Sequence, residues 1–130
     1  MLKQKKKVRN WIISCMENEH RTIDSVNIIF CNDDYLYKLN KDYLHHDTFT
    51  DIITFDYSKD RIISGDIFIS IERVRENALT YKFHFHSELH RVIIHGFLHL
   101  AGWKDKTSAD KQLMRAKEDY CLSLLPNFIQ

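Results

Sequence analysis

Apolar residues recur at Val8, Trp11, Ile12, Cys15 and Met16 within residues 5–18, the three-and-four spacing of one helical face. The pattern then changes. Residues 26–30 (VNIIF) are short and rich in β-branched side chains, so they read as a strand. Asn32-Asp33-Asp34 directly after it offers a helix N-cap, and a short helix follows over residues 35–40. Residues 45–50 are polar and read as a loop. Residues 52–55 (IITF) form a second strand, Lys59-Asp60 a turn, and residues 63–71, with Gly65 near their start, a third strand. Residues 72–81 look helical. Residues 87–101 carry a strong helical pattern that Gly102 is placed to stop. A last helix runs from Ser108, read as its N-cap, to Leu122, with Pro126 beyond its end. The order is α, β, α, β, β, α, α, α. Two strands across a short turn predict an antiparallel pair, and the earlier strand, reached through a helix, predicts a parallel or mixed partner. The expected fold class is α/β (α+β): a small mixed sheet with about five helices around it, in a single domain over residues 1–130.

Composition narrows the class. The chain has 130 residues, 44% apolar and 28% charged, which suits one folded domain and excludes a mostly disordered chain. No apolar run approaches the ~18 residues of a transmembrane helix, and the basic start MLKQKKKVRNWII does not read as a secretory signal. The net charge is +1, so any nucleic-acid contact needs a local patch, and neither DNA nor membrane is an expected partner. Lys3, Lys5, Lys6, Lys7 and Arg9 form such a patch; they suit RNA phosphates or simply a solvated helix start. Cys15, Cys31 and Cys121 are odd in number with no CxxC pair, which reads as buried thiols in a reducing cytoplasm.

The chemistry concentrates in His95-Gly96-Phe97-Leu98-His99-Leu100-Ala101-Gly102-Trp103-Lys104-Asp105. Residues four apart on a helix share a face, so both imidazoles can grip one metal ion. Gly102 lets the chain turn back, and Asp105 falls where a third ligand belongs. Three protein ligands leave a fourth position for water, the layout of a catalytic zinc site. Two histidines at this spacing also occur with no metal at all. The spacing HxxxHxxGxxD matches the long zinc-peptidase pattern too, but the glutamate base of that pattern is Gly96 here, which weakens a metallopeptidase reading.

The HGFLHLAG segment resembles the HGxLHLxG core of the YbeY family of bacterial rRNA maturation factors. Leu39-Asn40 with Thr50-Asp51-Ile52-Ile53-Thr54-Phe55 is similar to that family's LN…TDVLSF segment. Gly65-Asp66-Ile67 is similar to its GDI strand, Glu88-Leu89 to its EL, and Met114 with Glu118 to the M-xxx-E of its last helix. The resemblance spans nearly the whole chain. It implies a metal-dependent, single-strand-specific endoribonuclease of the cytoplasm. Such an enzyme acts on rRNA of the small ribosomal subunit, in 16S rRNA 3′-end maturation and ribosome quality control, with one zinc per chain on three histidines. Three positions depart from the family pattern: Asp105 stands where the third histidine is usual, Leu44 where Arg is usual, and Phe49 where Pro is usual. The metal ligands are therefore expected to be His95, His99 and Asp105. Two imidazoles and a carboxylate also suit iron(II) and other divalent ions. Leu44 removes a phosphate contact, which motivates an alternative in which the protein is a ribosome assembly factor with a mainly structural metal.

Nearby groups admit two readings each. Glu88 shares a helical face with His95 and either supports a ligand histidine or forms an ion pair with Arg91. Asp51 and Asp66 flank strands and either orient water or a ligand, or cap backbone amides. His45, His46, His84, His86 and His90 are assigned surface or packing roles. Trp103, Tyr43 and Phe49 suit base stacking, with Trp103 expected under the metal loop.

Overall fold

The computed structural model describes residues 2–46 and 48–129. Eight main elements follow in the expected order: α1 (Lys5–Asn18), β1 (Thr22–Cys31), α2 (Asp33–Leu44), β2 (Ile52–Asp56), β3 (Ile62–Ser70), α3 (Ile71–Tyr81), α4 (Phe85–Leu100) and α5 (Ser108–Leu124), closed by a 3₁₀ turn over Leu125–Asn127. The α+β class with five helices and a small mixed sheet is as expected. Asn32 does cap α2, its side chain accepting from the Tyr35 amide at 2.8 Å, but α2 extends a turn beyond the short helix predicted. The cap of α5 is Thr107 rather than Ser108. Thr107 and Asp110 form a reciprocal capping box, which an N-cap one residue later would lose. The polar loop before β2 is found at its described residues; Asp47 lies outside them.

The sheet order is β1-β3-β2, with β1 parallel and β2 antiparallel to the central β3. Alternation along the strands sorts the two faces. Val26, Ile28 and Phe30 of β1, Ile67 and Ile69 of β3, and Ile52 of β2 point to one face. There they meet α1 and α4 in a continuous apolar core. On the other face Phe68 stacks on Tyr35 of α2, and Phe55 meets Tyr43 edge-on.

α4 occupies the centre. It lies against the sheet and is flanked by α1, α3 and α5, which explains why its buried residues run almost round the helix: Leu89, Val92, Ile93, Ile94, Phe97 and Leu98. Each such side chain contributes about 1.5–3 kcal/mol on burial, so the helix that carries both histidines is strongly fixed. Gly96 permits the close approach. A Cβ there would lie 2.9 Å from Ile52 Cδ1 and 3.1 Å from two atoms of Ile67.

Candidate metal centre

α4 ends in a Schellman motif. The Gly102 amide donates to the His99 carbonyl at 2.9 Å and the Trp103 amide to the Leu98 carbonyl at 3.0 Å, with Gly102 at φ 103° in the region that glycine adopts freely. The reversal returns residues 103–105 across the last turn of α4. Two contacts pin this loop from below. Trp103 Nε1 donates to Glu19 Oε1 at 2.6 Å, and Arg21 Nη2 donates to the Ala101 carbonyl at 3.1 Å. Lys117 Nζ, 2.9 Å from Glu19 Oε2, also lies over the Trp103 ring. Trp103 therefore does sit under the loop, half-buried against the core.

The loop brings Asp105 to the histidine pair. His95 Nε2 and His99 Nε2 are 3.0 Å apart, and Asp105 Oδ2 is 3.3 Å from the first and 3.5 Å from the second. Three ligands at 2.0–2.1 Å from a tetrahedral ion are separated by about 3.3–3.4 Å. The triangle therefore has the dimensions of a divalent-metal site, and among the described residues these three side chains are the group able to hold an ion. The donors are two nitrogens and an oxygen, which suit zinc and also iron(II).

A second residue stands behind the first histidine. Glu118 of α5 places Oε2 2.6 Å from His95 Nδ1, turning Nε2 of that ring toward Asp105 and His99, the arrangement by which a carboxylate orients a metal-binding imidazole. Glu118 is itself held by Arg91 Nη1 at 2.8 Å, and Arg91 Nη2 reaches Asp119 at 2.7 Å. The charges follow this geometry. Burial opposes ionising Glu118, yet the bonds from His95 and Arg91 hold its pKa below the usual value. Burial likewise opposes protonating His95, but Glu118, Asp105 and Asp51 hold its pKa above the usual value. His99, without such a carboxylate behind it, is pushed down by burial and by His95.

The remaining sequence candidates separate. Asp51 joins the site: it lines both clefts that open beside His95 and Asp105, and burial raises its carboxyl pKa. Asp66 does not. It sits on the opposite sheet face and accepts from Asn27 Nδ2 at 3.1 Å. Glu88 is buried in one cleft, but the hydrogen-bonded ion pairs of Arg91 are with Glu118 and Asp119, not Glu88. Those two partners lie on a different helix, beyond the reach of a same-helix spacing rule. His90 packs edge-on against Trp11, and His84 and His45 flank helix ends. His46 and Phe49 line the second cleft with Leu44, whereas Lys5 and Arg9 line a separate groove between α1 and β1. Position 96 faces the sheet, so α4 offers no base at the place a zinc peptidase uses. Glu118 is marked in the sequence by the M-xxx-E resemblance, and it is also a carboxylate in the stripe Met114, Glu118, Cys121, the buried face of α5.

The family model described as Endoribonuclease YbeY matches residues 2–125. The chain belongs to the YbeY family. It is 55% identical over 115 residues to the Endoribonuclease YbeY of Flavobacterium psychrophilum, covering 88% of this chain and 82% of that one. It is 48% identical over 124 residues to that of Christiangramia forsetii, covering 95% and 87%. The solution structure of a Thermotoga maritima protein superposes with a TM-score of 0.68 at 27% identity, covering 96% of this chain and 85% of that one. As a YbeY-family chain it places a carboxylate, Asp105, in its candidate ligand set.

Proposed function

We propose that this protein is a metal-dependent endoribonuclease that hydrolyses phosphodiester bonds in single-stranded RNA, with His95 Nε2, His99 Nε2 and Asp105 Oδ2 as the protein ligands of one zinc ion. The observation that carries this reading is the ligand triangle of 3.0, 3.3 and 3.5 Å on a fixed helix and a pinned loop. When bound, the ion supplies Lewis-acid polarisation and an acidified water at neutral pH. The chain's own residues do the rest. Glu118 holds the His95 ring in one tautomer with Nε2 facing its fellow ligands. Asp51, a half-buried carboxyl whose pKa burial raises, lies beside the ligands in the same cleft. In keeping with the family, the substrate is rRNA of the small ribosomal subunit, cut during 3′-end maturation of 16S rRNA in the cytoplasm. No helix among the described residues is long and apolar enough to cross a membrane.

Protein purified without chelator is expected to carry about one zinc per chain by elemental mass spectrometry, the stoichiometry of a three-ligand catalytic site, and to cut single-stranded RNA in preference to duplex. His99→Ala is expected to lose both metal and cleavage while keeping its fold. Undiminished cleavage by purified His99→Ala would show that the metal mechanism is wrong.

A further inference from the structure

Two clefts meet at the ligand triangle, and their charge is unequal. The cleft lined by Asn40, Leu44, His46, Thr48 and Phe49 has no lysine or arginine among its described lining residues, and Arg73, which stacks on Phe49 at its edge, is held by Asp33 and Glu76. The other is a groove of about 600 Å³ that runs from His95 and Asp105 along α5 to Tyr81 and Phe83, and it contains Arg91, Lys111 and Arg115.

These three cations are not equivalent. Arg91 is committed to Glu118 and Asp119. Arg115 is exposed and reaches Glu118 only at 4.0 Å, a carboxylate already bonded to His95 and Arg91. Lys111 has no ion pair among the described residues. Lys111 and Arg115 lie one turn apart on α5, with side chains on the same face about 5–6 Å apart at Cβ. At the far end Tyr81 and Phe83 are 62% and 53% exposed, with ring centroids 6.5 Å apart. Lys82 between them adopts φ 60°, and the Phe83 amide bonds to the Ala78 carbonyl at 2.9 Å, so the turn that presents both rings is fixed. The carboxylates of the groove belong to its floor or to its metal end: Glu88 and Glu118 are buried, Asp51 is half-buried beside His95, and Asp105 belongs to the candidate ligand set. Free positive charge on the rim and exposed rings at the end are the two elements that bind a single strand, one for its phosphates and one for its unpaired bases.

We propose that this groove carries the RNA on one side of the scissile phosphate, with Lys111 and Arg115 taking successive phosphates and Tyr81 and Phe83 stacking the bases. The inference rests on the ribonuclease reading above. It also accounts for Leu44: the strand is gripped along α5, so the cleft lined by residue 44 has no need of a cation.

The test is binding of a short fluorescein-labelled single-stranded RNA, with phosphorothioate linkages to slow hydrolysis, to zinc-loaded protein across a salt series, read by anisotropy. The Lys111→Ala/Arg115→Ala double variant is expected to bind about tenfold more weakly at low salt. Its plot of log K against log salt should be shallower by about 1.4, or about 0.7 for each lost phosphate contact. Tyr81→Ala/Phe83→Ala is expected to bind about tenfold more weakly with the parental salt slope, because stacking releases no counterions. Both double variants should retain metal and the parental melting temperature. Parental affinity in either one overturns that half of the proposal, and parental affinity in both overturns it entirely while cleavage by the parent still stands. A metal-loaded parent that neither binds nor cuts single-stranded RNA overturns the ribonuclease reading and the groove with it.

Discussion

Replacing Glu118 by Gln isolates one oxygen's charge without opening a cavity. In the parent, Oε2 accepts from His95 Nδ1 at 2.6 Å and Oε1 from Arg91 Nη1 at 2.8 Å, with the side chain only 7% exposed. An amide keeps the shape but offers one acceptor and one donor. Whichever way it turns, either His95 or Arg91 faces an N–H. If Arg91 keeps the oxygen, the His95 ring loses its acceptor and the preference that aims Nε2 at the other ligands. If His95 keeps it, the bond is neutral and weaker, and Arg91 falls back on Asp119 at 2.7 Å. Loss of such an outer partner typically weakens metal binding 10- to 100-fold, which is about 1.4–2.7 kcal/mol. The assay is zinc affinity by competition with a chromophoric chelator, beside Asp119→Asn as the control. Asp119 also binds Arg91 but is 58% exposed and does not touch His95. The expected result is a 10- to 100-fold loss for Glu118→Gln and less than about twofold for Asp119→Asn, the scale of an exposed ion pair. Equal zinc affinity in Glu118→Gln and the parent would refute the claim that Glu118 sets the His95 ring for metal.

Asp105→Ala is expected to lose most bound zinc, whereas Asp105→His is expected to keep about one ion per chain, since a third imidazole suits the same tetrahedral site; elemental analysis of both checks this. Gly96→Ala is expected to destabilise the fold by about 1–3 kcal/mol, because its Cβ would come within 2.9 Å of Ile52 and 3.1 Å of Ile67; a parental midpoint in urea would contradict the close approach of α4 to the sheet. His90 titrates below its usual value, chiefly through burial and secondarily through His86. Its contribution to stability is therefore present above about pH 6.5 and is lost as pH falls through the lower folded value. Thermal midpoints between pH 7 and pH 5 should fall less steeply for His90→Phe, which keeps the contact with Trp11 but cannot take a proton.

Much of this molecule could be read along one dimension. The stripe Val8, Trp11, Ile12, Cys15 and Met16 is the buried face of α1, and Gly102 does end the turn that carries the candidate ligands. These features are set by neighbours within a few residues, where spacing and side-chain type suffice. What escaped was set by contacts distant in sequence. Arg91 reaches 27 residues to Glu118, and Trp103 reaches 84 residues back to Glu19. A same-helix rule offers Glu88 as the partner of Arg91, and only the packing of α5 on α4 supplies the better one. Asp51 and Asp66 look alike in sequence, each beside an apolar run. Asp51 lies just ahead of β2, in the cleft beside the histidines, whereas Asp66 lies within β3 on the sheet face away from α4.

The strand order has a consequence for how this chain comes off the ribosome. β3 is the last strand to be synthesised and the one to which both others bond. Until about residue 70 has emerged, β1 and β2 have no neighbour to pair with. Trp11 waits longer still, because its indole donates to the carbonyl of Cys121, 110 residues downstream. That one bond therefore closes only after α5 has been made. Glu118 arrives on that same late helix, so the candidate metal site acquires its supporting carboxylate only after α4 and the ligand loop have been made.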